Sequence, residues 1–118
     1  MMRNEESRTD LGVIRIHKDV IASIASLASL EVEGVKKIGG DFKANIYELL
    51  GKKQQRGINV EINRNDEVKL NIPLVVKYNY NVTEIARTVQ ENIQQSLEKM
   101  TDLTIKEINV TVQRIEKE

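Results

Sequence analysis

The sequence predicts an α+β domain: a two-layer sandwich with a mixed, mostly antiparallel sheet and helices on one face only. Three observations lead there. Residues 58–78 alternate apolar and polar side chains around a central turn, residues 82–100 carry one apolar stripe at helical spacing, and residues 108–113 alternate again. Strands with one apolar face need cover on that face alone. A helix of about twenty residues between two strands favours a crossover to a parallel neighbour.

Taken in order, residues 1–10 are polar and are expected to be flexible. Val13, Ile14 and Ile16 follow Gly12 and predict a short strand. From Lys18 to about Val32 the spacing becomes helical, with Val20, Ile21, Ile24, Leu27 and Ala28 on one face. Asp19 is placed at the start of that helix, where a carboxylate meets the positive end of the dipole. Gly34 breaks it, Val35–Ile38 reads as a short strand, and Gly39-Gly40 as a turn. Asp41 opens a second helical segment through Phe42, Ile46, Leu49 and Leu50, closed by Gly51. Residues 51–57 form a basic polar loop.

A hairpin follows. Ile58, Val60 and Ile62 point inward, Asn65-Asp66 turns the chain, and Val68, Leu70, Ile72, Leu74, Val76 and Tyr78 point inward again. Pro73 cannot donate a ladder hydrogen bond, so its strand is expected at an edge or with a bulge there. Asn81 and Glu84 have the spacing of a capping box. Val82, Ile85, Ala86, Val89, Ile93, Leu97 and Met100 make the stripe of the next helix. Ile108, Val110 and Val112 face inward on the last strand, and residues 116–118 read as a charged tail. Residues 11–115 are thus one domain, with no composition shift to suggest a second.

The bulk numbers narrow the chemistry. Eighteen Lys and Arg balance eighteen Asp and Glu, so no global field draws the chain to nucleic acid or anionic lipid, and self-repulsion is weak. No cysteine is present, which excludes disulfides, thiolate metal sites and thiol nucleophiles. The N-terminus lacks the apolar centre of a secretory signal, and the longest apolar stretch, Val20 to Leu30, is interrupted by Ser23, Ser26 and Ser29 and too short to span a bilayer. The lack of cysteine is compatible with a reducing cytoplasm, and if the chain meets a membrane, something else must bring it there.

His17 is the sole histidine and reads as a strand-end or cap residue. Glu31, Glu33 and Asp41 mark no pocket in which two carboxyls would differ in environment. The glycines from Gly34 to Gly40 lack the Gly-Lys-Ser/Thr ending of a phosphate loop, and Asp41 would repel a phosphate. No catalytic, cofactor or metal residues are therefore expected.

Two surfaces remain. Lys52, Lys53 and Arg56, with Lys43 upstream, form a basic cluster that could touch phosphate or an acidic partner. Single-strand readers usually add stacking aromatics, and only Tyr47 is near, so a solvated loop is favoured over a small nucleic-acid binder. On outward strand positions stand Asn59, Asn63, Asn71, Asn79, Asn109, Thr111 and Gln113. Asparagine has low strand propensity. A neutral polar face suits either solvent or a wet contact with another copy.

The order of short blocks resembles a known family. Gly12 to Ile16, Val20-Ile21, Glu31 to Val35, Leu50 to Lys53, Gly57 to Val60, Leu74 to Tyr78, Ile85-Ala86, Met100 to Leu103 and Ile108 to Val112 together are similar to the alkaline-shock-protein family, the Asp-twenty-three/Gls-twenty-four family found mainly in Gram-positive bacteria. The resemblance runs from Gly12 to Ile115. Asn79 and Asp102 stand where the family has glycine, and both are turn-competent. The resemblance implies an abundant cytoplasmic protein linked to cell-envelope stress, self-assembling, without enzymatic activity or cofactor. It also implies partners: a small membrane-anchor protein for some members, acetyl-CoA carboxylase and fatty-acid synthesis for others.

Overall fold

In the computed structural model, which describes residues 10–40 and 57–117 with side chains from Lys18 onward, two helices cover one face of a four-stranded mixed sheet. The order is α1 (Asp10–Leu30), β1 (Val35–Ile38), β2 (Asn59–Ile62), β3 (Glu67–Lys77), α2 (Val82–Met100) and β4 (Thr104–Glu116). The helical segment expected from Asp41 and the loop 51–56 lie outside the described residues.

Helix α1 corrects the expected strand at Val13–Ile16, because the helix begins at Asp10 and passes straight through it. After Gly12 no glycine or proline stands before Leu30. A β-branched residue costs only about half a kcal/mol in a helix, so continuity prevails over local strand preference. His17 therefore lies inside a helix rather than at a strand end, and Asp19 is well past the helix start rather than at it. Ser29 is fully buried and its hydroxyl donates to the Ala25 carbonyl at 2.7 Å. Gly34 then takes φ +100°, and a Cβ there would stand 2.6 Å from Ile85 Cδ1.

Strand β3 is the spine of the sheet. β1 pairs antiparallel with its Leu74–Val76 end and β2 antiparallel with Val68–Asn71, so the two lie end to end along one side. β4 runs parallel along the whole other side, from Glu67 to Lys77, after the α2 crossover. Pro73 thus sits in a central strand, not at an edge. Its carbonyl accepts from Gly39 N at 2.8 Å. The nitrogen of a strand residue points to the same side as its carbonyl, so the missing N–H falls in the gap between β1 and β2, where no ladder bond is required. Against β4 the register shifts once between Val68 and Lys69 and once between Leu74 and Val75, making Lys106 and Gln113 the extra residues of two bulges.

Val68, Leu70, Ile72, Leu74 and Val76 are all fully buried and meet Ile21, Ala25 and Ala28 of α1 and Ile85, Val89, Ile93 and Leu97 of α2. Each large aliphatic side chain so enclosed is worth about 1.5–3 kcal/mol. Helix α1 packs toward β1 and β2, and α2 toward β4. The capping box is as expected at its first residue: Asn81 Oδ1 accepts from Glu84 N at 3.0 Å. Met100 does not complete the stripe, since it is 68% exposed. Strand β4 is longer than the sequence suggests and takes in Glu116, a strand residue rather than part of a tail.

Candidate functional site: the open face of the sheet

The face of the sheet turned away from the helices is built in rows, because residues paired across strands share a face. Glu61, Lys69 and Glu107 form one row. The next is three asparagines abreast, Asn59, Asn71 and Asn109, all exposed. The row after that holds Pro73 and Thr111. Then come Lys37, Val75 and Arg114, and last Lys77 with Glu116. A shallow hollow of about 190 Å³ opens at the centre, lined by Gly40, Gly57, Asn71, Pro73, Thr111 and Gln113 among others.

Charge is zoned along this face. At one end Lys36 bonds Glu116 at 3.0 Å and Arg114 bonds the same carboxylate at 2.8 Å. Strands β1 and β4 flank β3 on opposite sides, so the Lys36–Glu116 pair spans the central strand. Val75, between Lys37 and Arg114 in its row, has no exposed surface although it is not part of the core cluster. Hydrogen bonds from Lys36 first, then Arg114, pull the Glu116 carboxyl down to about 2. At the other end Asn63 Nδ2 donates to Glu67 at 2.8 Å and Lys106 stands at 3.6 Å. These hold the Glu67 carboxyl below its ordinary value, the asparagine hydrogen bond contributing most.

The structure brings together Asn59, Asn71, Asn109 and Thr111 as neighbours on one surface. Asn63 belongs elsewhere: it lies past the end of β2, and its Oδ1 accepts from Asn65 N at 2.8 Å and Glu67 N at 3.0 Å, closing the hairpin turn. Asn79 is also a turn residue, at φ 75°. Lys52, Lys53 and Arg56 lie outside the described residues, and no observation favours the nucleic-acid reading built on them. The charged rows beside the asparagines were missed from sequence. Their signal is the period of two: Glu61, Lys69 and Glu107 each stand two residues from an asparagine of the row.

Elsewhere the polar groups serve structure. Tyr80 donates to Glu33 at 3.4 Å, and Asn92 donates to the Ala28 carbonyl at 2.7 Å and to Glu31 at 3.2 Å, tying α2 to the end of α1. Among the described residues no three His, Cys, Asp or Glu cluster as metal ligands. No buried polar side-chain atom there lacks a partner. No described helix is long and apolar enough to cross a membrane.

Fold and surface define a class: a two-layer α+β domain whose distinctive feature is an open, polar, charge-zoned sheet face. Residues 6–117 match the profile of the Asp-twenty-three family, described as having a cell envelope-related function, and the chain belongs to that family. It is 34% identical to the protein YqhY of Bacillus subtilis (strain 168), over 95% of this chain and 83% of that one. It is 29% identical to the stress response regulator gls24 homolog of Streptococcus pyogenes serotype M1, over 86% of this chain and 57% of the longer relative. The protein YloU of Bacillus subtilis (strain 168) is 26% identical over 93% of each chain. Among solved structures, a MamM CTD variant superposes with a TM-score of 0.59 at 14% identity, covering 85% of this chain and 98% of that one, a likeness of fold alone. Family membership supports a role related to the cell envelope and its stress response.

Proposed function

We propose that this protein is a non-enzymatic, self-associating stress-response protein of the cytoplasm that acts in cell-envelope homeostasis through protein–protein contacts. One observation carries the reading. The open sheet face has an uncharged centre of Asn59, Asn71, Asn109 and Thr111 with charged rows on either side. Depletion of charge at the centre and a polar, charged rim is how non-obligate interfaces are composed. A second hollow, lined by Glu61, Glu67, Lys69 and Lys106, gathers acids and bases, and it belongs to the charged rim of this same face.

Two kinds of contact are proposed. The first is with further copies of the chain. The second is with a partner that gives the assembly its place: a small membrane-anchor protein, or acetyl-CoA carboxylase in a member tied to fatty-acid synthesis. Sedimentation of the full chain over a wide concentration range is expected to show reversible growth in mass. Affinity capture from lysate of its own cells is expected to recover a small membrane protein or carboxylase subunits. A chain that stays strictly monomeric and retains neither would overturn the reading.

A further inference from the structure

We propose that two copies pack open face to open face, about a two-fold axis lying in the interface and crossing the strands between the Asn71 and Pro73 rows. This rests on the self-association proposed above and names its surface and geometry. A two-fold contact must be self-complementary, since each patch meets itself. Rotation about an axis across the strands keeps each copy's β4 over its partner's β4 and reverses the ends. The row Glu61–Lys69–Glu107 then meets the row Lys37–Val75–Arg114 of the second copy. Column by column, Glu61 meets Lys37, Lys69 meets the shielded Val75, and Glu107 meets Arg114. The asparagine row meets the Pro73–Thr111 row, so the neutral centre meets itself. An axis along the strands would set Lys37 against Arg114 and Glu61 against Glu107, which like charges oppose.

The other surfaces are less suited. The outer side of β4 is an exposed strand edge, yet Gln90 Nε2 donates to the Ile108 carbonyl at 2.8 Å and bulges stand at Lys106 and Gln113. Blocked acceptors, bulges and edge lysines are devices against edge pairing. On α1, Val20, Leu27 and Leu30 are exposed at 45%, 65% and 45%. That strip is apolar, but nothing about it selects an occupant.

The size of the face sets the expected strength. Eleven β3 residues at about 3.3 Å and three strands at about 4.8 Å give roughly 500 Å² per copy, or about 1,000 Å² in all. That is the lower bound of a specific interface, so the dimer should be weak. Packed sheets cross at about 30°, so the inner rows match more closely than the outer ones.

Sedimentation equilibrium on the full chain and four variants, with thermal melts to confirm folding, tests the geometry. Asn71→Lys puts a charge at the neutral centre and is expected to weaken dimerisation about tenfold or more. Glu61→Lys sets like charges against Lys37 of the other copy and should weaken it similarly. Adding Lys37→Glu to Glu61→Lys should restore the dimer, although the like-charge contact with Lys69 that Glu61→Lys creates within one copy remains. Leu27→Lys should leave it unchanged. If the unaltered chain is monomeric throughout, the self-association reading itself fails. If it dimerises but only Leu27→Lys disrupts it, self-association stands and this face is wrong. If the charge swap fails to rescue Glu61→Lys, the orientation is wrong.

Discussion

Asn79 and Gly34 both hold positive φ, at 75° and 100°, for different reasons. Asn79 closes the turn after β3, and asparagine is among the few L-residues that tolerate the left-handed region. The family resemblance has glycine at that position, and the backbone angle explains the interchange. Asn79→Gly should be near neutral, while Asn79→Val should cost about 1–2 kcal/mol, read from the urea midpoint at unchanged m-value. Gly34 carries a second constraint, since a Cβ would press on Ile85 Cδ1 at 2.6 Å. Gly34→Ala is therefore expected to cost more, about 2–4 kcal/mol. As a helix breaker, Gly34 was legible in the sequence. Its contact with Ile85 was not, because local pattern contains no information about which distant side chain packs on a turn. Asp102, the other position where the family has glycine, has no positive φ, so no backbone demand keeps glycine there.

At the scale of elements, legibility tracked the strength of the period. Helix α2 was clear because its cap and its buried stripe of Ile85, Val89, Ile93 and Leu97 agree on one register. Asn81→Ala should cost about 1 kcal/mol by freeing the Glu84 N–H. Ile93→Ala, in the core, should cost about 2–5 kcal/mol, whereas Met100→Ala should stay within about 0.5 kcal/mol because Met100 is mostly exposed. Denaturant titration of the three variants separates these outcomes. The start of α1 was misread because a short run of Val and Ile fits strand and helix alike, and only length decides between them. Pro73 is not at an edge, while the other expectation, a bulge, is met one residue on, where Gln113 of β4 is extra opposite the Leu74–Val75 step. The proline's missing donor was correctly seen as incompatible with an unbroken ladder, but a split neighbour satisfies that condition as well as an edge does. The site was legible in the same partial way. Outward positions picked out Asn59, Asn71, Asn109 and Thr111, while the cross-strand register that lines them up with charged rows depends on pairing between distant segments.

For the molecule as a whole, the Lys36–Glu116 pair ties the first strand to the last across the spine of the sheet. Lys36 also donates to the Lys117 carbonyl at 3.3 Å, fastening the chain just beyond β4. The pair joins two strands that are distant in sequence. Its pH dependence has a definite sign. The Glu116 carboxyl has a value of about 2 in the folded chain against an ordinary 4.5, so between those limits the unfolded chain binds more protons than the folded one. The contribution is complete above about pH 4.5 and is lost as pH falls toward 2. Glu67, also lowered by Asn63 and Lys106, acts in the same direction at the opposite end of the face. Glu116→Gln removes the charge and with it this part of the pH response. At neutral pH the variant should melt at a lower temperature than the parent chain, with the gap closing progressively from about pH 4.5 to pH 2. Lys36→Met should show the same closing gap, because it removes the main cause of the lowered carboxyl. Thermal melts across that acid range check it. A gap that stays constant with pH would mean that Glu116 stabilises the sheet through packing rather than through its charge.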